Sequence, residues 1–174
     1  YTCNQLKAVI GTFENNANID IALFKYSGGD NKQYPNYEFD LKKEPKGYYV
    51  SSVEIAFRRS SIDSTLRFDP RLGIGTSMPA GEEAIFLHQA LKKGLTCRFF
   101  PITITHHPEL TTGSRNPSPG VLQANGVVVA VKYGVMGLLR LPIIAWRLSQ
   151  QGKAKIFPAV HNLLKGYIYG KKNF

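Results

Sequence analysis

Two adjacent carboxylates, Glu82 and Glu83, follow directly on Gly81, and two adjacent imidazoles, His106 and His107, precede Pro108. Both are residue types that move protons or hold ions near neutral pH. A carboxylate carried by a loop and a histidine ending a strand can converge on one pocket although they lie far apart in sequence. Each also has a plainer reading. Negative charge in the first turn of a helix is stabilised by the unpaired N–H groups and the dipole, by about 0.3–1 kcal/mol per residue. A histidine at a strand end is most simply a structural hydrogen-bonder. Further candidates are Ser114 and Arg115 in the loop 111–120, and Asp69 between Phe68 and Pro70, where an Asx turn would serve equally well. Arg58 and Arg59 close a strand, either binding phosphate or only flanking the strand end.

These groups need elements to hold them. Gly73, Gly75 and Gly81 punctuate a loop around Met78 and Pro79 that leads to the two glutamates. Ala84, Leu87 and Leu91 then recur at helical spacing, Lys92 and Lys93 fill the last turn, and Gly94 is the stop. The apolar run 97–104 reads as the strand that ends at the histidines. Upstream, 4–15 has one apolar stripe through Leu6, Val9, Ile10 and Phe13, with Asn4 as a possible cap. Residues 19–26 are rich in β-branched and aromatic types and read as a strand. The polar stretch 27–47 reads as loop with a short strand at 37–41, and 48–57 as the next strand. A helical turn is expected at 62–66. Beyond the loop 111–120, residues 121–133 read as helix, or as strand over 127–131. Residues 135–150 are apolar and helical, with Pro142 kinking or dividing them, and 157–169 form a last amphipathic helix.

Length and a hydrophobic fraction of 43% suit one domain with a sizeable core. The sequence has no initiator Met and no secretory signal pattern, so it reads as a fragment. Cys3 and Cys97 lack metal-type spacing and read as free thiols of a reducing compartment. The net charge of +10 is uneven: residues 111–174 hold 9 Lys/Arg and no Asp or Glu. That basic end points to an anionic partner, whether a membrane surface, a nucleotide diphosphate or nucleic acid. A membrane span needs about 20 mostly apolar residues, and the candidate beginning at Val127 is interrupted by Lys132, Gly134, Arg140 and Pro142. A surface-lying region is the better expectation, with Trp146 at the interface and Arg140, Arg147, Lys153 and Lys155 on anionic headgroups. The alternative is a solvated basic face on packed helices.

The stretch FDPRLGIGTSMPAGEE (68–83), the helix after it, the Gly94 stop and the His-terminated strand together resemble the second half of family 2 glycosyltransferases, which have the GT-A fold. Ser51 to Arg59 is similar to the strand preceding that loop in capsule- and cell-wall-type members. The resemblance implies an α/β fold, the C-terminal part of a GT-A domain: a mixed sheet with flanking helices and a helical C-terminal extension. It favours helix over strand for 121–133. It divides the chain into an acceptor-side catalytic half, 1–113, and a basic, mainly helical extension, 114–174. The nucleotide-binding half with its Asp-x-Asp motif, which these 174 residues lack, is expected upstream.

The resemblance also implies roles. Glu83 would be the general base that takes the proton from an acceptor hydroxyl, although many members have Asp there, and Glu82 the supporting acid. Gly81 and Arg115 would contact substrate, Arg115 as a clamp on the diphosphate. His107, rather than His106, would complete the site of a divalent cation, Mn2+ or Mg2+. The partners implied are a nucleoside-diphosphate sugar and a saccharide or lipid-linked acceptor, in cell-surface polysaccharide synthesis. The location implied is cytoplasmic and peripheral at the inner face of the plasma membrane, and such a fragment would turn over little alone. Two other readings compete: a basic nucleic-acid-binding domain, against which no recognition motif is present, and a catalytically dead, membrane-associated scaffold of the same fold.

Overall fold

Strand β1 (Ile21–Ser27) is apolar on both faces, and Ile21, Ala22, Leu23 and Phe24 are all fully buried, as a central strand requires. It lies in a four-stranded sheet of order β2-β4-β1-β3, with β2 at Phe39–Asp40, β3 at Ile55–Phe57 and β4 at Cys97–His106. β1 and β4 run parallel, while β2 and β3 add antiparallel edges. The molecule is therefore α/β with a small, mixed, open sheet and flanking helices. The computed structural model describes residues 1–28, 32–107 and 116–174.

The chain divides into two units, one of Tyr1–Arg67 with Phe86–Leu110 and one of Phe68–Ile85 with Thr111–Phe174. Thus the loop 68–81 and the first turn of helix α2 (Glu82–Lys92) group with the C-terminal helices, not with the sheet.

In the first unit, Ile21, Leu23 and Phe99 face Phe86, Leu87 and Ala90 of α2. The other side of the sheet, through Phe24, Phe100 and Ile104, carries Val9 and Phe13 of helix α1 (Cys3–Asn15). The alternation along β1 thus feeds two cores. Thr2, not Asn4, caps α1. Its hydroxyl accepts from Gln5 N at 3.3 Å while the Gln5 side chain accepts from Thr2 N at 2.7 Å, a reciprocal box that satisfies two orphan donors.

The expected strand 48–57 shrinks to Ile55–Phe57, because Ser52–Glu54 is a 3-10 turn closed by a second capping box between Ser51 and Glu54. Nor is 62–66 helical; the turn is at Arg59–Ser61, and Asp63 organises the next residues by accepting from Thr65 N and Leu66 N.

The second unit is built on α3 (Pro119–Tyr133) and α5 (Ile156–Asn173), with α4 (Arg140–Gln150) packed on α5. The apolar stretch 135–150 is not one helix. The break falls at Gly134, whose φ is +52°, and Gly134–Leu139 is a 3-10 segment. Pro142 neither kinks nor divides it, because it occupies the first turn of α4, where no backbone N–H is needed. Among the described residues, Pro119–Gln150 is the one helical stretch long and apolar enough to cross a membrane.

Glycines set the closeness of α3 and α5. A Cβ on Gly166 would run into the Gln123 carbonyl oxygen, and one on Gly126 would lie 2.7 Å from Tyr167 N. Gly166→Ala is therefore expected to destabilise the second unit by about 1–3 kcal/mol or more, since backbone, not a movable side chain, blocks the methyl. Denaturant unfolding checks this, and Gly11→Ala is the matched control, a glycine inside helix α1 with nothing within 4 Å of the added methyl, which should lose no stability.

Candidate active site

The loop 68–81 presents the glutamates by a series of short-range bonds. Asp69 accepts from Arg71 N at 2.9 Å and holds the Arg71 guanidinium through Nε at 2.8 Å and Nη2 at 2.6 Å. Arg71 in turn stacks on the Phe174 ring, 4.1 Å to its centroid, and donates to Asn173 O. Hydrogen bonding from Arg71 holds the Asp69 carboxyl below its ordinary value. Asp69 is thus a turn and anchor residue. Gly73 N then bonds Met78 O at 3.0 Å, and Met78 N bonds Thr76 Oγ1 at 3.1 Å, closing the glycine-rich turn.

Gly81 accepts the first bond of α2, from Ile85 N at 3.1 Å, and so stands at the cap position. Its φ is +89°, and a Cβ there would sit 2.8 Å from Val128 Cγ2. A side chain at 81 would both strain the backbone and press on Val128 of α3. Gly73 is required on similar grounds. At φ +99°, its missing Cβ leaves room for the Glu82 carboxylate, whose Oε1 would lie 2.8 Å away. The Glu82 carboxylate therefore folds back over the loop. Its Oε2 is buried without a hydrogen-bond partner, an uncommon state for a carboxylate oxygen. Glu83, half-buried, starts the same helical turn one position on. Gly81, Glu82 and Glu83 are brought together by the loop and helix, as the sequence led one to expect.

The histidines end β4 beside the end of β1, in the first unit. Strands β1 and β4 are parallel, so their carboxyl ends, Ser27 and His106, are neighbours in register. His106 Nδ1 lies 3.3 Å from Ser27 Oγ. Gly28, φ +101°, makes this possible, since a Cβ would fall 2.6 Å from His106 Cε1. His107 N donates to Ser27 O at 2.8 Å, and its ring tilts against Tyr26 at 5.8 Å. In open α/β sheets, ligands bind outside the carboxyl ends of parallel strands, and these histidines lie at such an edge.

Glu82 and Glu83 belong to the second unit and the histidines to the first, so the geometry of each pair is that of its own unit. Arg115 and Ser114 lie outside the described residues. Among the described residues no group of three or more His, Cys, Asp or Glu side chains could hold a metal ion. Mn2+ and Mg2+ favour oxygen-rich sets, whereas the contacts placed at the two histidines are the Ser27 hydroxyl at His106 and the Tyr26 ring at His107. By themselves they do not make a Mn2+ or Mg2+ site.

Arg58 is structural: it donates to Phe13 O at 3.0 Å and Ile19 O at 3.3 Å and stacks over Phe13. Arg59 bonds Ile62 O. Both cysteines are free, Cys3 exposed and Cys97 buried, and burial pushes the Cys97 thiol up to about 12, leaving it inert.

One cluster escaped the sequence altogether. Lys32 and Glu54 form a buried ion pair, Nζ to Oε2 2.7 Å and to Oε1 2.8 Å. Four tyrosine rings surround the ammonium: Tyr49 at 4.1 Å, Tyr34 at 4.8 Å, Tyr48 at 5.5 Å and Tyr26 at 5.7 Å. The only sequence signal was the density of tyrosines on either side of a stretch that otherwise reads as polar loop.

No protein-family model matches the chain, and no curated protein or solved structure is significantly similar to it.

Proposed function

We propose that the chain is the acceptor-side part of an inverting glycosyltransferase of the GT-A type, acting on nucleoside-diphosphate sugars in cell-surface polysaccharide synthesis. The observation that carries the reading is the presentation of Glu82 and Glu83: a glycine-dependent loop caps α2 with Gly81 and sets two successive carboxylates on its first turn. The resemblance of 68–83 to the acceptor-side loop of family 2 enzymes supplies the chemistry.

In this reading Glu83 takes the proton from the attacking acceptor hydroxyl. That oxygen forms its bond to the anomeric carbon as the bond to the diphosphate oxygen breaks. The electron pair leaves with the nucleoside diphosphate, and configuration inverts in the single displacement. Glu82, turned back over Gly73, keeps the loop in shape and adds negative potential beside the base. Gly81 allows the acceptor to approach the helix start closely. Arg115 clamps the diphosphate. The expected Mn2+ or Mg2+ has no complete ligand set among the described residues, so no step here depends on it.

The test is transfer of labelled sugar from a panel of nucleoside-diphosphate sugars by the full gene product, with membrane extract as acceptor source. Acceptor-dependent release of nucleoside diphosphate is the expected result. Donor binding without transfer, with Glu83 intact, would favour a dead scaffold. Absence of donor binding together with salt-sensitive oligonucleotide binding would replace the reading with a nucleic-acid-binding one.

A further inference from the structure

The second unit carries large apolar side chains on its outside between positions 133 and 157. Val135, Met136 and Leu139 are 72%, 66% and 66% exposed, and Trp146 and Phe157 are 54% and 88% exposed. Helix α4 explains how. Leu141 and Ala145 point inward, while Leu139, Ile143 and Trp146 recur at i, i+4 and i+7 on the outer face. Exposed apolar residues scattered singly are ordinary, but a continuous outer stripe marks a contact surface. Arg140 and Arg147 are exposed beside this stripe, Arg140 stacked on Tyr133 at 3.8 Å, and Lys153 and Lys155 follow. No acidic residue lies anywhere in 111–174.

Apolar side chains flanked only by cations match the interface of an anionic bilayer, where rings and aliphatic groups enter the acyl boundary and basic heads meet phosphates. A second copy of the chain would bring the same uncompensated positive charge against itself. Crossing the bilayer is a poorer fit. Only 28% of the most apolar window of Pro119–Gln150 is buried, yet α3 itself turns Leu122, Ala124, Val127 and Ala130 into protein cores. The helical path then breaks at Gly134, whose carbonyl accepts from the Tyr167 hydroxyl at 2.8 Å.

We propose that the segment Gly134–Leu139, helix α4 and the start of α5 form an interfacial patch that seats the chain in the plane of an anionic membrane surface. Trp146 lies at headgroup level and Arg140 and Arg147 engage lipid phosphates. This inference does not rest on the transferase reading.

Trp146 is the sole tryptophan, so its emission reports on the patch. With the full chain and phosphatidylcholine–phosphatidylserine vesicles, the expected result is a blue shift and co-flotation, both weakened at about 1 M salt, where the screening length is about 3 Å. Pure phosphatidylcholine vesicles should give little of either. Arg140→Gln combined with Arg147→Gln should weaken partitioning by about 30-fold with an unchanged far-ultraviolet spectrum, since both side chains are exposed. Equal binding to neutral vesicles, resistance to an alkaline wash, or self-association in place of vesicle binding would each overturn the proposal.

Discussion

Glu83→Gln in the full gene product is expected to lower turnover by about two to four powers of ten and to leave donor binding nearly unchanged. The substitution keeps size and hydrogen-bonding capacity while removing the basic oxygen, so the first turn of α2 should survive it. A helix-dipole role alone would cost only about 0.3–1 kcal/mol of stability and no activity. The two accounts therefore differ in what they measure: turnover moves in one, thermal stability in the other. Glu82→Gln should behave differently, because the Glu82 carboxylate packs against Gly73 with one oxygen unpartnered. Its amide would remove the negative charge at that unpartnered oxygen, leaving stability equal or higher, with a smaller loss of turnover. Equal activity of the Glu83→Gln enzyme would remove that residue from its role.

The second large effect concerns Lys32 and Glu54. Lys32→Met is expected to destabilise the first unit by about 3–5 kcal/mol at neutral pH, because it leaves a buried carboxylate without its cation. Both side chains are almost wholly buried, at 2% and 0% exposure. The double variant Lys32→Met with Glu54→Leu should recover most of that loss, since apolar replacement of a whole buried pair is often neutral or better.

The pH dependence has a definite sign. Burial raises the Glu54 carboxyl above its ordinary value of 4.5, against the opposing pull of Lys32, the Tyr34 hydroxyl and Ser51 N. A raised folded-state value means that folding favours the protonated form. Its contribution is fully present below about pH 4.5 and is lost as pH rises through the raised value. Without Lys32 the value rises further, so the deficit of Lys32→Met should be greatest near neutrality and narrow on acidification. Urea unfolding of wild type and variant across that range measures it; a deficit independent of pH would show that packing of the lysine stem, not charge, dominates.

The elements that local periodicity encodes were legible. β1 and β4 read as apolar runs, and α1, α2 and α5 as striped segments with recognisable starts and stops, because each buries its own face at its own period, whereas 121–133 read as helix or strand until the helix formed in the fold decided it. The Gly81-Glu82-Glu83 start of α2 was legible for the same reason: cap, charge and helix are neighbours in sequence. Residues 48–57 misled because Glu54 turns inward to a cation 22 positions away and Ser52–Glu54 forms a 3-10 turn where strand was expected. Likewise, nothing local announces that Gly126 and Gly166 exist for helix contact or that the loop 68–81 groups with α3 and α5. Periodicity records which residues leave water. Which partner each meets depends on contacts between distant positions, and those exist only once the chain has folded.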